Sequence, residues 1–182
     1  MADNFLQFSE VIPNLTEPEE AWLEEQLQTI RVFGDKAYAA DAVPAELADT
    51  EPDWSGPRFL NDQDDFDPDW DTPGFECDFD TDTDEGGWGR HVWLHADDWG
   101  NTESVAYLVQ QFLKAFRPDQ CWSLTYAATC SKPRVGEFGG GAVFVTADEI
   151  KYQNSYEFVE EQRTVFETKR SKAHPTKERN NE

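Results

Sequence analysis

Cysteine is scarce. Cys77, Cys121 and Cys130 are the whole complement of 182 residues, odd in number and widely spaced, with no CxxC pair. Neither a disulfide framework nor a zinc site is signalled, and buried free thiols are the expectation. Long apolar runs are also missing. None approaches the ~18 residues of a membrane span, and Met1-Ala2-Asp3-Asn4 lacks a basic segment leading into an apolar one, so the expected compartment is the cytoplasm. Positive charge is absent where nucleic acid would need it. Residues 1–100 hold 27 acidic and 4 basic residues and residues 101–182 hold 11 of each, so the whole net charge of −23 lies in the first hundred. Such a field repels DNA, RNA and anionic membranes and attracts basic surfaces.

Apolar and aromatic residues are plentiful enough for one core: 38% of the chain is hydrophobic, including 7 Trp, 5 Tyr and 13 Phe. The expectation is one domain over residues 1–170, with an acidic loop and hairpin region at 35–87 inside it and a loose basic tail at 171–182. Thr16-Glu17-Pro18-Glu19 is a capping box with Pro in the first turn, and it predicts a helix to about Val32, ended by Gly34. Trp22, Leu23, Leu27 and Ile30 would be its apolar stripe. Residues 35–61 read as irregular, with a short strand at Arg58–Leu60, and Trp54 and Trp70 pin this region to the body.

A hairpin follows, with an acidic strand turning at Asp84-Glu85-Gly86-Gly87 into a strand at Trp88–Ala96. Asn101 or Thr102 caps a helix in which Val105, Leu108, Val109, Phe112 and Phe116 share a face, and Pro118 stops it. Strands are expected at Cys121–Thr129 and Gly140–Val145, a short helical turn from Thr146, and a last helix from Asn154 or Ser155 burying Phe158, Val159, Val165 and Phe166. The sum is an α+β fold: a single antiparallel sheet of about four strands in two hairpins, with about three amphipathic helices.

The most unusual stretch is Asp62–Glu85, where twelve of twenty-four residues are acidic and none is Lys or Arg. Phe75, Cys77 and Phe79 alternate with Glu76, Asp78 and Asp80, the pattern of a half-buried strand with its acids in a row on the outer face. Two residues of strand rise place those acids ~6.6 Å apart, a spacing that can follow the phosphates of a nucleic-acid strand. The candidate partner-binding residues are Asp62, Asp64, Asp65, Asp67, Asp69, Asp71, Glu76, Asp78, Asp80, Asp82, Asp84 and Glu85. Phe66, Trp70 and Trp88 are the candidate aromatic anchors.

Other chemistry is weakly signalled. An EF-hand loop needs Gly at position 6 and Glu at position 12; from Asp80 those positions hold Glu85 and His91, and from Asp78 they hold Thr83 and Gly89. His91 and His95 share a strand face and are the weak metal candidates, without a third ligand of clear spacing. Gly136–Gly141 follows Lys132 and Arg134, yet it lacks the GxxxxGK[ST] order and leads into a strand. No GxSxG-type nucleophile motif is present.

The expected function is that of an acidic nucleic-acid mimic that occupies the basic groove of a nucleic-acid-binding protein and inhibits it by competition, without cofactor. By charge pattern the chain resembles the mimics that mobile elements use against restriction or CRISPR nucleases. One alternative is an immunity-type or regulatory protein that clamps a basic toxin or nuclease through a few precise contacts. Another is a divalent-metal-dependent enzyme using the Asp cluster with His91 and His95.

Overall fold

The computed structural model describes residues 3–61, 73–81 and 87–173. In chain order the elements are β1 (Asn4–Ile12), α1 (Glu17–Leu27), β2 (Thr29–Phe33), β3 (Lys36–Ala39), β4 (Trp54–Pro57), α2 (Arg58–Asn61), β5 (Glu76–Asp80), β6 (His91–Ala96), α3 (Thr102–Phe116), β7 (Cys121–Cys130), β8 (Gly139–Thr146), β9 (Ile150–Asn154) and α4 (Ser155–Ala173). One sheet has six antiparallel strands in the order β5-β6-β1-β7-β8-β9, and a second has three in the order β3-β2-β4.

This corrects the expected single sheet of about four strands. The two hairpins β5-β6 and β7-β8 form, but β1 lies between them, pairing Phe8 with Ala96 on one side and with Tyr126 on the other. At the far edge β9 adds a strand where a helical turn was expected. Thr146 closes a tight turn there, its hydroxyl accepting from the amides of Asp148 and Glu149. The first helix stops at Leu27 instead of Val32, because β-branched Thr29, Ile30 and Val32 favour extended backbone. Gly34, at φ 61°, turns β2 back onto β3. The strand expected at Arg58–Leu60 is a single helical turn, and the strand lies just before it, at Trp54–Pro57.

The core sits between α3 and one face of the large sheet. Val105, Leu108, Val109 and Phe112 of α3 cluster with Val92, Leu94, Leu124, Val143 and Val145, all of them fully buried. Burial on this scale stabilises by ~1.5–3 kcal/mol per side chain. Asn101 starts α3 by accepting from the amides of Glu103 and Ser104. Just before it, the Gly100 amide donates to the Leu6 carbonyl at 2.9 Å, and a Cβ at Gly100 would lie 2.7 Å from that oxygen. Only glycine lets the chain pass β1 so closely.

One ion pair joins the start of α1 to the end of α3. Arg117 donates to both carboxylate oxygens of Glu19, Nε at 2.6 Å and Nη2 at 3.1 Å, and to the carbonyls of Pro13 and Asn14. Its guanidinium also stands over the Phe112 ring, 5.1 Å from the centroid. Glu19 is 6% exposed and further accepts from the amide and hydroxyl of Thr16. The Arg117 hydrogen bonds dominate over desolvation and hold the Glu19 carboxyl down at about 2, against an ordinary 4.5.

A group depressed on folding stabilises above its unfolded pKa, so the Glu19 contribution is complete above pH 4.5 and is lost as pH falls through about 2. Glu19→Gln leaves Arg117 buried without its countercharge and is expected to cost about 2–4 kcal/mol at neutral pH. In urea melts, the gap between wild type and variant should shrink between pH 4.5 and 2; a constant gap would mean that the carboxylate charge contributes nothing.

Candidate functional site

The register of β5, β6 and β1 decides which side chains share the outer face of the large sheet, because residues directly opposite one another point the same way. Cys77 lies opposite Leu94 and Phe79 opposite Val92, facing the core; Phe75, just before the strand, is buried as well. Glu76, Asp78 and Asp80 therefore point outward, opposite His95, Trp93 and His91, and all three are exposed. On the other flank of β6, Ser9 lies opposite His95 and Val11 opposite Trp93. The outer face thus carries an acidic row on edge strand β5, an imidazole-indole-imidazole row on β6, and Ser9 and Val11 on β1.

These rows are tied together. His95 Nε2 lies 3.1 Å from Asp78 Oδ2, and the His95 ring stacks on Trp93 with centroids 4.0 Å apart. Trp93 Nε1 donates to Ser9 Oγ at 2.9 Å, which fixes the indole plane. His91 Nδ1 is 2.9 Å from the Gly89 carbonyl, and its ring meets Trp88 edge to face. Asp78, Asp80, Trp88, His91, Trp93, Ser9, Glu10 and Val11 line a shallow cleft of about 410 Å³. No Lys or Arg is among these lining residues. Trp88 and Trp93 are 45% and 40% exposed, so both indoles offer open surface beside the carboxylates.

Burial pushes the Glu10 carboxyl up, with a backbone hydrogen bond from Thr125 opposing. Burial also pushes the Cys77 thiol up, and the charges of Asp78 and Glu76 add to the shift. Cys77 is accordingly a core-side thiol, whereas Cys121 is exposed at the start of β7.

Of the residues singled out from sequence, Glu76, Asp78, Asp80, Trp88, His91 and His95 come together here. Asp62, Asp64, Asp65, Phe66, Asp67, Asp69, Trp70, Asp71, Asp82, Asp84 and Glu85 lie outside the described residues. His91 and His95 do share a face, but each ring has its own partner, and among the described residues no group of three or more His, Cys, Asp and Glu is arranged to hold a metal ion. Sequence reasoning missed Trp93, although His91-Val92-Trp93-Leu94-His95 carries the signal: an even spacing puts the indole on the imidazoles' side. It also missed Ser9, Glu10 and Val11, which needed β1 to be recognised as a strand. Among the described residues no helix is long and apolar enough to cross a membrane. No protein-family model matches the chain, and neither a curated protein nor a solved structure is similar to it.

The acidic row leaves a chemical signature that needs no partner. In the native protein Cys121 is expected to react with a soluble thiol reagent at least ~10-fold faster than Cys77, whose half-buried thiol has a raised pKa and is little ionised. Glu76→Gln with Asp78→Asn should accelerate Cys77, by lowering its raised pKa, and leave Cys121 unchanged. Equal Cys77 rates in wild type and variant would show that the carboxylates do not act on the thiol.

Proposed function

We propose that this protein is a binding protein that presents an ordered acidic face to a basic, nucleic-acid-binding partner and competes with DNA or RNA for the partner's groove. The observation that carries the reading is the exposed row Glu76, Asp78 and Asp80 on a sheet edge, held in register by β6. A flexible acidic segment would lose conformational freedom on binding, whereas carboxylates fixed to a strand are already placed. Their ~6.6 Å spacing suits Lys and Arg side chains arranged for successive phosphates. The net charge of −23 steers such a partner in and keeps nucleic acid itself away. In this reading the protein works in the cytoplasm as a competitive inhibitor, performs no catalysis, and serves as a mimic of the kind used against restriction or CRISPR nucleases.

The cleft favours a second reading, a clamp with a few dominant contacts. An Arg of the partner entering it would meet the indole faces of Trp88 and Trp93 and the carboxylates of Asp78 and Asp80, combining cation–π and charged hydrogen bonds. The two readings differ in how binding energy is distributed. A mimic spreads it, so each of Glu76→Gln, Asp78→Asn and Asp80→Asn should weaken binding about two- to tenfold, with the losses accumulating. A clamp concentrates it, so Trp93→Ala alone should cost ~30-fold or more.

The test is affinity capture from host lysate at low salt with elution on a salt gradient, comparing wild type with the triple acid variant. The mimic reading expects a nucleic-acid-binding protein that competing DNA or RNA displaces and that the variant fails to retain. Identical partners on wild type and variant would overturn it. The triple variant should fold at least as well as wild type, because removing neighbouring like charges relieves repulsion.

A further inference from the structure

The cleft beside the acidic row is a slot with flat walls. His95 stacks on one face of the Trp93 indole, centroids 4.0 Å apart, and does not line the cleft, so the cleft lies on the indole's other side. Trp88 lines it as well, set edge to face against His91. The Trp93 N–H is spent on Ser9 Oγ at 2.9 Å, which holds that wall in place. From β1, Val11 adds an apolar patch.

Most polar groups of the lining are acceptors. His91 Nδ1 lies 2.9 Å from the Gly89 carbonyl, which can only accept, so this nitrogen carries the proton and the neutral ring keeps Nε2 as an acceptor. Asp78 meets His95 through Oδ2 with 68% of its side chain exposed, and a carboxylate offers about four lone-pair sites, so one such contact does not saturate it. Asp80 accepts from the Thr81 amide. Glu10 is the telling member. It is half-buried and accepts from the Thr125 amide, yet burial still holds its carboxyl above the ordinary 4.5. Its charged form is short of water, and no Lys or Arg lines the cleft to compensate. A ligand that suits this lining brings N–H donors and a positive charge.

We infer that the cleft reads arginine: it takes the guanidinium of one arginine side chain of a protein partner, stacked on the indoles of Trp88 and Trp93 with its N–H groups turned to Glu10, Asp78 and Asp80, and it discriminates against lysine. A guanidinium is planar, weakly hydrated and donates within its own plane, so aromatic walls and carboxylate edges serve it at once. An ammonium is compact and strongly hydrated, and it cannot lie flat in a slot. Val11 suits the aliphatic stem. The surrounding acids repel the carboxylate of free arginine, so the group arrives on a peptide chain. The inference rests on the reading of this face as a surface for a basic partner and names the group by which that partner is held. It also makes Glu10, which is not part of the exposed row on β5, the residue that selects for charge.

Tryptophan indole NMR on the full chain tests it, with capped tripeptides carrying arginine, lysine or citrulline between two glycines as probes. The indole N–H signals of Trp88 and Trp93, assigned from Trp88→Phe and Trp93→Phe, should shift saturably with the arginine peptide. The lysine peptide should bind at least about fivefold more weakly, and citrulline, of the same shape without the charge, should leave the signals unmoved. Glu10→Gln should weaken arginine binding by about fivefold or more, the other indole signals verifying that the variant is folded. Equal affinity for arginine and lysine overturns the inference, as does a citrulline peptide that binds as well as arginine. Free arginine binding more tightly than the peptide would overturn the assignment to a partner's side chain. The two readings fail separately: a cleft without arginine preference leaves capture of a nucleic-acid-binding protein from lysate untouched, and an arginine-selective cleft survives a lysate that yields none.

Discussion

The contact between Arg117 and Glu19 is where three parts of the chain meet: the end of β1, the start of α1 and the last turn of α3. Arg117 saturates its guanidinium with the carboxylate and with the carbonyls of Pro13 and Asn14, so the loop leaving β1 is fixed by the same group that ends α3. That loop then organises the approach to β6. The Asn14 amide donates to the Trp88 carbonyl and the Leu15 amide to the Arg90 carbonyl, while Arg90 pairs with Glu17 and Glu20 of α1. Asn14 adopts φ 54°, a left-handed conformation that asparagine tolerates better than most residues. Through this chain a buried ion pair helps set the backbone of Trp88, one wall of the cleft.

The same contact shows how a chain of charge −23 folds at all. Self-repulsion weakens a compact state, and burial of a carboxylate is tolerable only with a cation and hydrogen bonds to replace water. Glu19 meets that condition and is buried; Glu20 meets it in part, beside Arg90. The acids of β5 stay exposed on the outer face instead, with the His95 ring against Asp78 and the Thr81 amide donating to Asp80. Keeping three like charges in a row on one strand works against stability. The fold retains them over the hydrophobic alternates Cys77 and Phe79, which pack against the core and hold the strand in place.

Where the sequence was legible, one periodicity ran uninterrupted. In α3 the apolar positions repeat at helical spacing between an Asn cap and Pro118, and in β5 acids and apolar residues alternate strictly; both elements were readable with their faces. Where it was not, the signal was mixed. Strand β1 places Leu6, Phe8 and Ile12 toward the core, but Glu10 interrupts the row, and Phe5 and Val11 beside them blur the alternation. With β1 unread, the two hairpins had no strand to join them, and Ser9, Glu10 and Val11 could not be placed in the cleft. The β2 segment was absorbed into the preceding helix because Ile30 continued the stripe of Trp22, Leu23 and Leu27, although Thr29, Ile30 and Val32 are strand formers. In α4 the periodicity was read correctly and its consequence was not. An apolar stripe says that a helix has something to bury, and says nothing about whether its own chain supplies the cover.

The two edges of the large sheet manage the same liability in opposite ways. An edge strand exposes unpaired amides and carbonyls, and natural sheets blunt such edges with charge or cover them. On β5 the exposed acids that flank the cleft also repel a second copy of that edge, which protects it from self-association. At β9 that protection is weaker. Lys151 pairs with Glu149 beside exposed Phe144 and Tyr152, and the chain leads directly into the apolar stripe of α4. The first edge is guarded by three like charges in a row and the second by a single paired lysine, so the sheet is better protected against a second copy at β5 than at β9.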